Sequence, residues 1–210
     1  MNKFSMGIFP GRLEPDTTIA GCIDIFENAW PNPLETIEAI ETECANPESD
    51  LHWSRASTIG DGVHQNVRTN YDLCLTAAAD VYGNQLAKNI HNQMYFLLAA
   101  SLAPYIDKYQ ISGEFMHEYY SVLKYSSGQK YDAHYDGGTA DGRSISAIAY
   151  LNNDYIGGEI EFVNFGIKIK PEPGMLLLFP SNYAYKHIAH PIVEGTKYAI
   201  VTWIKDRWMQ

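Results

Sequence analysis

The chain has 210 residues, 46% of them hydrophobic, a length and apolar content that suit one domain with a sizeable core. A formal net charge of -10 with no run of Lys or Arg would repel a polyphosphate, which argues against nucleic acid as a partner. No stretch of about 18 apolar residues occurs and the first residues hold no apolar run of signal-peptide length, so the expectation is a soluble, cytoplasmic chain without a membrane partner. Cys22, Cys44 and Cys74 are too scattered for a disulfide framework or a zinc ribbon and read as small buried hydrophobes.

Residues 32–45 (NPLETIEAIETECA) predict a short helix: Asn32 as cap, Pro33 in the first turn, and Leu34, Ile37 and Ile40 as a one-sided apolar stripe. Residues 55–70 (RASTIGDGVHQNVRTN) lack periodicity and predict a loop or a short strand pair. Residues 71–104, rich in Ala and Leu, predict a longer helix that Gly83 or the residues around Asn92 break in two. From about residue 115 the pattern turns to short apolar or alternating runs, FMHEYYSVLKY, ISAIAYLN, GEIEFV, IKIK, MLLLFP and KYAIVTWIK. Turn residues separate them at nearly regular intervals, which is the pattern of a barrel or jelly roll.

Within that half, YDAHYDGG carries His134 and Asp136. On an extended segment the two side chains project to one face, because the strand period is two, and a His from a distant strand would complete a 2-His-1-carboxylate set of the kind that holds non-haem iron with positions left open. His-x-Asp alone also occurs in ordinary solvated turns, so the downstream context matters. FPSNYAYKHIAHPIVEGTKYAIVTW offers histidines before a hairpin-like turn, then Lys197 leading an apolar strand. Lys197, Ala199, Val201 and Trp203 share one face of it, and an ammonium among apolar neighbours needs an anionic partner, a role that a dicarboxylate co-substrate would fill.

The C-terminal hundred or so residues resemble the prolyl 4-hydroxylase group of Fe(II)/2-oxoglutarate-dependent dioxygenases through LKYSSGQKYDAHYD, RSISAIAYLNNDYIGGEIEF, IKPEPGMLLLFPS and HIAHPIVEGTKYAIVTW, in the family's order. That frame has Pro four positions after the distal His and a small-residue or basic arm ten after it; His187, Pro191 and Lys197 satisfy both spacings and His190 does not. The resemblance implies that His134, Asp136 and His187 hold Fe(II), that Lys197 pairs with the distal carboxylate of 2-oxoglutarate, and that Tyr125 hydrogen-bonds it. Ser146, at a position where the family often has Thr, keeps the hydroxyl and is the third residue the resemblance implies at the 2-oxoglutarate carboxylate. Tyr131 and Trp203 correspond to aromatic residues near the substrate, and Arg68 to Asn70 (RTN) to a segment near the site entrance. His52, His64, His91 and His117 receive no role.

The implied fold is α+β and mainly β: one domain over residues 1–210, a double-stranded β-helix (jelly roll) with a mostly helical support region at 1–112 and the catalytic core at 113–210. The implied activity is hydroxylation of a prolyl residue in a peptide or protein, with 2-oxoglutarate and O2 converted to succinate and CO2 and ascorbate as an accessory cofactor. Two rival readings remain: a dioxygenase acting on a free amino acid or another small molecule, and a non-catalytic jelly roll that holds a metal.

Overall fold

Short strands that alternate apolar and polar residues must cover one face, whereas strands apolar on both faces must lie between two layers. The structure, a computed structural model, describes residues 11–56, 67–137 and 142–206. In chain order it holds β1 (Thr17–Ile19), β2 (Ile23–Phe26), α1 (Pro33–Ala45), β3 (Ser54–Arg55), β4 (Tyr71–Cys74), α2 (Leu75–Asp80) and α3 (Gln85–Lys108). There follow β5 (Phe115–His117), β6 (Ser121–Ser126), β7 (Tyr131–His134), β8 (Arg143–Tyr150), β9 (Ile156–Gly157), β10 (Ile160–Phe162) and β11 (Ile167–Ile169). The last are β12 (Leu176–Pro180), β13 (His187–Ala189), β14 (Ile192–Glu194) and β15 (Thr196–Asp206).

The large sheet runs β1-β2-β12-β8-β15-β6-β4-β3, with β5 also paired to β15, and the smaller sheet runs β11-β10-β13-β7. Every pairing is antiparallel. The central strands show why the two-layer reading holds. On β12, Leu177 and Phe179 pack with Ile160, Phe162 and Ile169 of the small sheet, while Leu176 and Leu178 pack with Ile90, Met94 and Leu97 of α3. On β15 the even positions Tyr198, Ile200 and Ile204 join the helix-side core, and Lys197, Ala199, Val201 and Trp203 line the cavity inside the jelly roll. The helices therefore back the outer face of the large sheet. Among the described residues no helix is long and apolar enough to cross a membrane.

The N-terminal half departs from the sequence reading in three places, the Asn32 cap, residues 71–74 and the extent of the sheet, and agrees with it on a break at Gly83. Asn32 adopts a left-handed backbone (φ 50) and makes no side-chain cap; Pro33 follows it and Thr36 accepts the Trp30 indole N–H at 3.1 Å instead. Residues 71–74 are not helical. They pair with β6 from Tyr71↔Lys124 to Cys74↔Ser121, so the sheet's hydrogen bonds override a helical propensity that only begins to act at Leu75. The break falls at Gly83 (φ 70), Asn84 caps α3 by accepting from the Ala87 N–H at 3.0 Å, and Asn92 lies within the helix, which runs through Pro104 to Lys108. The sheet also crosses the expected boundary at 112/113, because β1 to β4 supply its two ends. Of the predicted loop or strand pair at 55–70, β3 pairs with β4; residues 57–66, His64 among them, and Gly138 lie outside the described residues.

Candidate active site

The cavity inside the jelly roll encloses about 330 Å³. His134 ends β7 and His187 opens β13, and the two are register partners across the small sheet. Asp136 is not on the strand, as an extended reading would have it, but in the bend just after. Gly137 makes that bend possible: a Cβ there would collide with the Arg143 carbonyl and lie 2.9 Å from the Ser181 Cβ. Its N–H donates to the Ser181 carbonyl at 2.8 Å, which fixes the approach.

The three side chains converge. One ligand atom from each of His134, Asp136 and His187 lies within 4.8 Å of the others. His134 Nε2 is 3.5 Å from Asp136 Oδ1, and His187 Nε2 is 3.7 Å from Asp136 Oδ2. The Nδ1 of His134 lies 2.7 Å from the Asp132 carbonyl and that of His187 lies 3.1 Å from the Tyr185 carbonyl. A carbonyl only accepts, so both Nδ1 atoms carry the proton, and both Nε2 lone pairs are left to face the carboxylate. Burial pushes Asp136 upward, yet the two imidazoles and the Ser146 hydroxyl outweigh it and hold the carboxyl well below its usual range. Burial and the neighbouring His134 push His187 down to about 4, against the pull of Asp136. Two imidazoles that offer Nε2 and one carboxylate held ionised, with no thiolate, form a donor set that suits a divalent iron. His190 points elsewhere: its Nε2 lies 2.6 Å from Glu161 Oε2.

Lys197 is 3% exposed and, among the described residues, forms no ion pair; its ammonium donates to the Gly158 carbonyl at 2.6 Å. Burial pushes it down to about 7, with Glu159 opposing weakly. Tyr125, its register partner on β6, is buried beside it and pushed up to about 12 by burial. A buried cation without a carboxylate, facing a cavity, is costly unless a ligand brings the anion. Ser146 lines the same cavity, but its hydroxyl is engaged with Asp136 Oδ2 at 2.6 Å and with Ser181 Oγ at 2.8 Å. Tyr131 stacks on His134 at a centroid distance of 3.5 Å, and Trp203 lies under the Arg143 guanidinium at 3.8 Å. Arg68 sits over the Tyr131 ring and donates to Asn70 Oδ1, which brings the RTN segment to the cavity wall.

Sequence reasoning missed a buried ion pair. Arg143 donates to both carboxylate oxygens of Glu118, at 2.8 and 2.6 Å, and reaches the Asp136 carbonyl at 3.3 Å; Lys205 adds a third contact to Glu118. The signal that could have found it is a charged residue opening a strand buried on both faces, since such a charge needs a partner. Asp72, Ser121 and Ser181 were also missed.

Residues 120–205 match the model of the 2OG-Fe(II) oxygenase superfamily. The chain is 32% identical over 119 residues to "Probable prolyl 4-hydroxylase 9" of Arabidopsis thaliana, a match covering 43% of this chain and 41% of that protein. The chain thus spans about half the length, or less, of the first curated relatives it matches. Among solved structures it is similar to a Trichoplax adhaerens prolyl hydroxylase in complex with a hypoxia inducible factor peptide fragment, with TM-score 0.70, 19% identity and coverage of 90% of this chain and 86% of that one. It is likewise similar to a Pseudomonas putida prolyl-4-hydroxylase, with TM-score 0.64, 19% identity and coverage of 88% and 92%. At these identities the structures establish the fold: a jelly roll with helices on its outer face.

Proposed function

We propose, for a chain whose residues 120–205 match the 2OG-Fe(II) oxygenase superfamily, that it is a dioxygenase hydroxylating a prolyl residue in a peptide at the expense of 2-oxoglutarate and O2. The observation that carries the reading is the convergence, on one cavity, of the His134, Asp136 and His187 donor set with a buried ammonium that has no carboxylate partner among the described residues. Iron bound by those three residues would supply the redox chemistry that turns 2-oxoglutarate and O2 into succinate and CO2 and places an oxygen atom in a C–H bond.

The chain's own residues do the positioning. Asp132 and Tyr185 hold the two imidazoles in the tautomer that leaves Nε2 free, and Ser146 orients the Asp136 carboxylate. Lys197 would bind the distal carboxylate of 2-oxoglutarate, taking over from the Gly158 carbonyl, with Tyr125 beside it. Tyr131 and Trp203 give the cavity aromatic walls, which suit the apolar faces of an extended proline-rich segment. The names of the relatives support a prolyl substrate, and ascorbate would serve to keep the iron reduced. The test is succinate release across a proline-peptide library and a set of free amino acids. Turnover dependent on 2-oxoglutarate, with one peptide gaining an oxygen atom, supports the reading; turnover only on free amino acids, or binding of metal without any turnover, rejects it.

A further inference from the structure

The wall of the cavity on the β4 and β6 side holds two acceptors that no group among the described residues satisfies. Asp72 lines the cavity and, among the described residues, its carboxylate makes no hydrogen bond and no ion pair. Arg68, four residues earlier, acts on it only through space, since the Arg68 Nε donates to Asn70 and the guanidinium covers the Tyr131 ring. Ser121 is 1% exposed, lines the same cavity, and its Oγ has no partner. Register puts them on one face. Asp72 is paired with Leu123, and Leu123 and Ser121, two positions apart on β6, both line the cavity, so the acceptors sit roughly 7 Å apart along the sheet.

Among the cavity's charges, Asp72 is countered only by the Arg68 guanidinium acting through space. Arg143 is neutralised by Glu118, Asp136 faces the two imidazoles, and Lys197 awaits a carboxylate in the reading above. Burial pushes the Asp72 carboxyl up and Arg68 opposes the push, which is the behaviour of an acid in a partly dry wall without a donor. Such a half-buried group gains a charge-assisted hydrogen bond from a cation or an N–H donor delivered by a ligand.

We propose that Asp72 and Ser121 form a subsite that selects a cationic group, an ammonium or guanidinium, on the substrate near the carbon that is oxidised. This rests on the cavity's being the substrate site of the proposed dioxygenase. Asp72 accepts the charge-assisted hydrogen bond and Ser121 a second one, so the subsite discriminates against neutral and acidic substrates at the same position.

The test uses capped pentapeptides containing Pro-Pro with Lys, norleucine or Glu placed on either side, together with free amino acids and their N-acetylated forms. Binding is read by quenching of tryptophan fluorescence, Trp203 being in the cavity. The ammonium-bearing members should bind on the order of tenfold more tightly than their neutral isosteres. Asp72→Asn should abolish that preference, Asp72→Glu should keep part of it, and Ser121→Ala should weaken it. Equal binding of charged and neutral members, no binding by any member, or an unchanged preference in Asp72→Asn would overturn the subsite. Succinate release by the wild-type protein, measured in the same samples, reports separately on the dioxygenase reading: a charge preference without succinate would reject that reading and leave the subsite standing.

Discussion

The Ser146 hydroxyl donates to Asp136 Oδ2 at 2.6 Å, so a serine expected at the co-substrate's carboxylate is instead tied to a proposed iron ligand. Ser181 Oγ, 2.8 Å away, completes a buried chain of three oxygen groups. Removing an outer partner of a ligating carboxylate typically weakens metal affinity by about 10 to 100-fold. Ser146→Ala should do so while Ser146→Thr, which keeps the donor, should lie much closer to wild type. Titration of Fe(II) under anaerobic conditions reads both; equal affinity in Ser146→Ala and wild type would remove the orienting role.

The two histidines of β13 and the residue after it should separate cleanly. His187 is 4% exposed and faces Asp136, whereas His190 is paired with Glu161 on the small sheet. His187→Ala should lose metal binding and turnover, and His190→Ala should retain most of both. Comparison of metal content and succinate release in the two variants checks this, and the reverse order would move the ligand.

The fold of the C-terminal half was legible because its strands are short, alternating and separated by turn residues, so periodicity and register agree. The pairing of His187 with His134 was not, since alternation gives a strand's faces and not its partner. Residues 71–74 were not legible, since YDLC gives too short an alternation to oppose the Ala-rich segment that follows, and only β6 supplies the missing hydrogen bonds. With 71–74 read as helix, Asp72 had no face and its place in the cavity was invisible. Ser146 could be located but not given its bond, because a strand's parity says which face a hydroxyl occupies and not which neighbour it meets. Arg143 and Glu118 are 25 residues apart, and no local pattern links them.

That pair leads to a stability prediction. Both side chains are nearly buried, at 5% and 9% exposure, so deleting one leaves an uncompensated charge. Glu118→Ala should destabilise the protein by about 3 to 5 kcal/mol. Replacing Glu118 and Arg143 together with apolar residues should cost less than Glu118→Ala alone. Urea denaturation of the single and double variants measures the difference, and a double variant less stable than the single one would contradict it.

Lys197 gives the pH dependence. Burial holds it at about 7 against an ordinary 10.5, so between those values the unfolded chain binds a proton that the folded one does not. Stability without co-substrate should therefore rise with pH across that window. A carboxylate paired with Lys197 needs the charged form, so 2-oxoglutarate affinity should fall by about tenfold per pH unit above 7, with proton uptake on binding. Lys197→Arg, charged throughout, should flatten the profile. Calorimetric titration in buffers of different ionisation enthalpy detects the proton, and a flat wild-type profile would place the ammonium away from the co-substrate.

The central claim is that His134, Asp136 and His187 hold the iron of a 2-oxoglutarate-consuming enzyme, and succinate release measured with added Fe(II), 2-oxoglutarate and O2 tests it most directly. Wild-type protein should release succinate in amounts matching the 2-oxoglutarate consumed and should stop when a chelator removes the metal. His134→Ala and Asp136→Ala should fold, by circular dichroism, yet release none. Succinate formed at near wild-type rates by either variant, or none formed by the metal-loaded wild type with any member of the peptide and amino-acid panels, would contradict the account.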